Sequence, residues 1–169
     1  MSNPNNLATA IGKEASRIEE DALHSGKGHF NAGTVWSTVH LCLGIPTAIL
    51  AAWAGIEAFA ENPQLTALLA LGAAGLSATS TFLNPNEKAT NHRNAGREFN
   101  ALKNKARRFR EITLPQTETG SANDEIESLA TARDQINSMS PDIPRWAYNK
   151  AVKDIDGGKA TYAADKEPQ

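Results

Sequence analysis

The residues of this 169-residue chain that could do chemistry are few and scattered. There are four histidines, His24, His29, His40 and His92, and a single cysteine, Cys42. His24 and His29 are five positions apart, a spacing that does not put two ligands together on one helix face. One cysteine excludes both a disulfide framework within the chain and a cysteine-based zinc site. No glycine-rich phosphate loop, His-Glu-x-x-His pair or Gly-x-Ser-x-Gly elbow occurs. The sequence therefore proposes no catalytic constellation, no metal and no cofactor, and the expectation is a protein that is not an enzyme. The polar groups that remain are His40, the acids Glu57 and Glu61, and the hydroxyls Ser77, Thr79 and Ser80, all within an apolar region. Groups of that kind at membrane depth face partners or water, and rings of them can attract or pass ions.

The surrounding segments explain why those groups stand out. Net charge is −2, without the strongly basic balance of a dedicated nucleic-acid binder, so no direct nucleic-acid binding is expected. The average conceals an uneven chain. Positions 34 to 83 hold 30 apolar residues and only two charges, Glu57 and Glu61. No Asp, Glu, Lys or Arg occurs from Gly28 to Ile56, or again from Asn62 to Asn86. A bilayer core is about 30 Å thick and about 20 helical residues cross it. The stretch from Val35 to Ala60 is long enough with room for tilt, and Leu65 to Leu83 only just suffices. The alternative, a buried pair in a soluble bundle, would normally keep a polar stripe along each helix. The first 30 residues have no basic start followed by an apolar run, so a secretory signal is not expected there. Between the stretches, Asn62 can stop a helix and Pro63 suits the first turn of the next, so the two should pack antiparallel. The turn carries two acids and no base, whereas positions 84 to 114 carry eight bases against three acids. The positive-inside rule then expects both termini in the cytoplasm and the turn outside.

Each polar residue in the spans has two readings. His40 could face a pore or gate, or be a neutral imidazole near the interface, bonded to a neighbouring hydroxyl. Pro46 removes a backbone bond and could kink the first helix as a hinge or as a packing detail. Gly72 and Gly75, with nearby alanines, give the small-residue spacing that lets helices associate, a candidate oligomer contact. Ser77, Thr79 and Ser80 could line a pore or bond back to the preceding turn. Glu57 and Glu61 would share a face, as an outer mouth, if the helix continued that far.

The flanks read as helical. Leu7, Ile11, Ala15, Ile18 and Ala22 make one side of an amphipathic helix over 6 to 24. His92, Ala95, Phe99, Leu102, Ala106 and Phe109 follow a heptad-like seam over 87 to 112. Phe99, Leu102 and Phe109 are the candidate oligomer seam of a stalk continuing from the second span. Pro115 and Gly120 punctuate a break, after which a helix is expected to about Met139, with Ile126, Leu129, Arg133 and Ile136 inward. A last helix over roughly 142 to 155 carries Trp146, Ala147, Val152 and Ile155, and Gly157-Gly158 ends it. The region from 115 onward is net −4, opposite in sign to the basic stalk, so the two should pack together. The expected architecture is all-α: an amphipathic lead (1–33), a two-span hairpin (34–86), a basic stalk (87–114), and a C-terminal helical pair with a tail (115–169).

This order of parts resembles the SLATT domains. The pieces that carry the likeness are Lys27-Gly28-His29-Phe30, then Ile143-Pro144 with Trp146, Tyr148 and Ala151, then Gly157, Gly158 and Tyr162. SLATT domains are two-transmembrane effectors that accompany nucleotide-synthesising SMODS enzymes or nucleotide-sensing SLOG domains in bacterial conflict systems. The resemblance implies a non-enzymatic homo-oligomer in contact with membrane lipids, which forms a pore or disrupts the inner membrane on activation and arrests growth. It also implies a nucleotide-synthesising or nucleotide-sensing partner protein. The alternatives are a non-conducting membrane anchor that holds a partner through its cytoplasmic helices, and a soluble helical oligomer.

Overall fold

The structure, a computed structural model, describes residues 4–161; Tyr162 of the resemblance lies outside them. Every regular element among the described residues is helical. Helix α1 runs Pro4–Phe59, α2 Pro63–Leu83 and α3 Pro85–Arg108. A π-helical turn (Phe109–Thr113) and a 3₁₀ turn (Leu114–Gln116) lead to α4 (Thr119–Met139), and α5 is Arg145–Asp156. The chain divides into two compact units, Met1–Ala32 with Asn91–Gln169, and Gly33–Thr90.

In the first unit the amphipathic stripes meet. Ile11, Ala15, Ile18 and Ala22 of α1 pack with Phe99, Leu102 and Ala106 of α3, with Phe109, and with Ala122, Ile126 and Leu129 of α4. The alanines keep the helix backbones close, and the larger side chains interdigitate between them. Ion pairs rim this core. Arg110 donates to Glu19 at 2.9 Å, Lys105 lies 3.2 Å from Glu125, and Arg133 lies 3.7 Å from Asp21. These pairs are substantially solvated, so each contributes under about 1 kcal/mol and mainly sets register. The opposite charges of the basic stalk and the acidic C-terminal region do meet in the Lys105–Glu125 pair. Glu19 of α1 pairs with Arg110, and Glu14 and Asp21 of α1 lie beside Arg133, while Glu111 and Asp134 pair with their chain neighbours Arg110 and Arg133.

Phe99, Leu102 and Phe109, expected as an oligomer seam, are buried in this core against α1 and α4. Their apolar faces are occupied within one chain. Trp146 is 46% exposed, and α5 docks through Ala147 and Ala151. The Asn31 amide donates to Ala147 O at 3.3 Å and ties α5 to α1.

Helix α1 passes positions 24 to 33 without a break. The glycines there serve close packing. A Cβ at Gly28 would sit 3.0 Å from Ile143 Cγ2, and one at Gly26 3.4 Å from the Phe99 Cβ.

The second unit is built from the rest of α1, from α2 and from the start of α3. Asn62 caps α2, its side chain accepting from Leu65 N, and Pro63 opens the helix, where its missing N–H costs nothing. Glu61 takes a left-handed backbone (φ 58°) in the turn. Helix α1 ends at Phe59, so Glu57 and Glu61 do not share a helix face. The condition for that pairing is not met. Asn84 is also left-handed (φ 43°) and ends α2 with its N–H on Ser80 O, and Pro85 then opens α3. Asparagine is one of the few residues that accept this backbone readily. The stalk helix is therefore separated from the second apolar helix by one residue.

Candidate functional site

The apolar surface of the second unit is its dominant feature. In the most apolar 18-residue window of α1 only 6% of positions are buried, and in that of α2 only 11%. A core helix of the same composition would be mostly buried. Leu41, Ile45, Ile49, Trp53 and Ile56 on α1, and Leu68, Leu71 and Phe82 on α2, all point outward. Contiguous exposed apolar faces of this kind mark interaction with a partner or a membrane. Where the two helices touch, the contact is small-residue packing. Ala54, Leu69 and Ala73 are buried, and a Cβ at Gly72 would lie 3.4 Å from Leu50 Cδ1. Gly75, by contrast, has nothing within 4 Å of where its Cβ would be.

The polar residues of this unit find mostly local partners. Thr79 Oγ1 donates to Gly75 O at 2.9 Å, and Thr81 Oγ1 to Ser77 O at 3.0 Å. Thr47 Oγ1 donates to Leu43 O at 2.7 Å, on the turn beside Pro46. Pro46 lies within α1, which continues through it. Ser77, Thr79 and His40 are exposed and Ser80 is half-buried. Trp53 Nε1 donates to Glu57 at 2.9 Å, which anchors one of the two acids beside the turn. Near the other end, the Lys88 ammonium stands 4.4 Å over the Trp36 ring, a cation–π contact. Trp36 and Trp53 are 17 residues apart on α1, about 25 Å along a helix at 1.5 Å per residue.

The first unit holds a polar pair that the sequence reading did not assemble. His29 Nδ1 and His92 Nδ1 are 3.0 Å apart, and both side chains are buried. The contact needs one ring protonated at Nδ1 and the other bare there, so the accepting ring is neutral. His29 also stacks on Phe99 at 5.4 Å. A signal was present: 29 continues the 11, 15, 18, 22 stripe of α1, and His92 begins the α3 seam, so both faced the same core. The burial of His29, aided by the nearby His92, lowers its pKa from 6.5 to about 4; burial also lowers that of His92. The unfolded chain therefore binds protons that the folded chain refuses. Stability should be full above about pH 6.5 and fall as pH drops toward about 4, by roughly 2–3 kcal/mol for His29. Thermal unfolding across that range checks this. His29→Phe should flatten much of the slope, and an equally steep profile in the variant would contradict the assignment. No group of three or more metal-ligating side chains occurs among the described residues.

Fold and surface together define an all-helical protein with two helices long and apolar enough to cross a membrane. Compared with known protein families, with curated proteins and with solved structures, the chain matches none.

Proposed function

We propose that the chain is a membrane effector. The stretches of about 35–60 and 65–83 cross the bacterial inner membrane as an antiparallel hairpin with both termini cytoplasmic, and the protein self-associates and permeabilises that membrane when activated. The observation that carries the reading is the outward, uncharged apolar surface of both helices. Three features support the register. Trp36 and Trp53 are spaced to sit at opposite interfaces, where amphipathic rings gather. Lys88 over Trp36 marks the basic side, and Glu57 and Glu61 mark the other. The likeness to SLATT domains supports effector activity and a nucleotide-linked partner protein. Contact between copies is assigned to the small-residue face at Gly75, because the Phe99, Leu102 and Phe109 seam is filled within the chain. Ser77, Thr79 and Ser80 border the conducting path, with His40 and Pro46 on the first helix.

A second reading, a non-conducting anchor that holds a partner, is favoured by the return of the Thr79 hydroxyl to Gly75 O. Inducible expression in bacteria, with a voltage-sensitive dye and membrane fractionation on the same cells, separates the two. The effector depolarises the membrane, and changing Ser77, Thr79 and Ser80 together to Val reduces depolarisation at least about tenfold, the effect of about 1.4 kcal/mol on a barrier. Unchanged depolarisation in the triple variant removes these hydroxyls from the path. Membrane-bound protein that leaves the potential intact even during phage infection supports the anchor.

A further inference from the structure

The docking of α5 leaves one large side chain uncovered. Ala147 and Ala151 are fully buried, while the Trp146 ring beside them stands 46% exposed. We propose that Trp146 seats in the headgroup layer of the bilayer, a lipid contact outside the two spans. The proposal rests on the membrane reading above and adds to it a place where the C-terminal helix meets the same membrane.

The level of α5 along α1 carries the inference. The Asn31 amide donates to Ala147 O at 3.3 Å. A Cβ at Gly28 would lie 3.0 Å from Ile143 Cγ2 and 3.9 Å from Tyr148 Cα. Further along α5, Val152 shares a cavity with Glu20, Asp21 and His24. Later residues of α5 therefore meet earlier residues of α1, and the first turn of α5 meets the latest ones. Asn31 is four residues before Val35, where the apolar stretch begins, and four residues span about 6 Å in a helix. The interfacial layer outside the hydrocarbon core is about 5–7 Å deep on each side. The Ala147 carbonyl, and Trp146 next to it, thus fall at headgroup depth.

The side chain suits that depth. Tryptophan joins an apolar ring to one N–H donor and gathers where one end is apolar and the other wet. Asp142 and Arg145 leave positions 140 to 148 without net charge, so the ring makes the contact and no anionic lipid is required.

The test uses the full chain in phosphatidylcholine nanodiscs, with Trp36→Phe and Trp53→Phe so that Trp146 is the sole tryptophan. Lipid brominated near the headgroup end of its acyl chains should quench Trp146 fluorescence at least about twofold, and more than lipid brominated near the chain ends, the order that an interfacial depth gives. A companion chain with Trp36→Phe and Trp146→Phe keeps Trp53 alone and reports whether the hairpin is in lipid. Quenching of Trp53 without quenching of Trp146 overturns the proposal and leaves the membrane reading standing. If neither is quenched, the spanning hairpin fails and the seat of Trp146 with it. A Trp146 shielded from aqueous acrylamide yet unquenched by brominated lipid is covered by protein, such as a second copy, and this also overturns the proposal. If the substituted chains lose helicity, hydroxyl-radical oxidation of the unsubstituted chain decides. Trp146 in nanodiscs should then react at least about tenfold more slowly than in the denatured chain, because lipid covers its outer face. Its 46% exposure, if that face met water, would slow it only about twofold, and that result contradicts the proposal.

Discussion

Ile49→Arg combined with Leu71→Arg should remove the protein from the membrane fraction. Both side chains point outward, at 58% and 72% exposure. In a soluble protein such surface changes alter stability by no more than about 0.5 kcal/mol each, and arginine would improve solubility. In a bilayer each arginine near the middle of a helix costs about 2.5–3.5 kcal/mol of insertion. The helix with less margin is α2, whose Ala, Gly, Ser and Thr content adds little hydrophobic drive. Leu71→Arg alone should therefore have the larger effect of the two. The readout is the distribution between membrane and soluble fractions, with degradation followed in parallel. Normal membrane recovery of the double variant would mean that this surface does not meet lipid.

The second large effect belongs to the first unit. Phe99→Ala should destabilise it by about 3–5 kcal/mol, the usual cost of truncating a fully buried aromatic residue. Phe99 is 2% exposed and packs with both α1 and α4, and His29 stacks on its ring. Truncation opens a cavity and also lets water reach the histidine pair. His29 should then titrate closer to its ordinary value, so the acid sensitivity of the variant becomes shallower as its stability falls. Denaturant unfolding at two pH values reads both consequences. A loss under about 1 kcal/mol with an unchanged pH slope would refute the role given to Phe99.

Local chemistry made much of this fold legible. The Asn62-Pro63 start of α2, the end of α4 at Met139 and the Gly157-Gly158 stop of α5 follow from capping and turn preferences. The inward faces of the flanking helices follow from their apolar spacing. The misses have physical causes. A heptad pattern says that a helix has a partner, and is silent on whether that partner belongs to the same chain; Phe99, Leu102 and Phe109 found theirs in α1 and α4. Gly26 and Gly28 look like weak points in a helix, yet α1 uses their missing side chains to approach Phe99 and Ile143. One left-handed residue, Asn84, was enough to interrupt the expected stalk. The His29–His92 contact joins positions 63 apart, which no local spacing could bring together.

Cysteine accessibility tests the central claim most directly. With the sole cysteine removed as Cys42→Ser, Glu61→Cys marks the turn between the apolar helices and Gln135→Cys marks the exposed face of α4. In intact spheroplasts, a membrane-impermeant maleimide should label the turn, and should reach α4 only after the membrane is permeabilised. Equal labelling of both positions before and after permeabilisation, or recovery of the protein without detergent, would contradict a spanning hairpin with cytoplasmic termini.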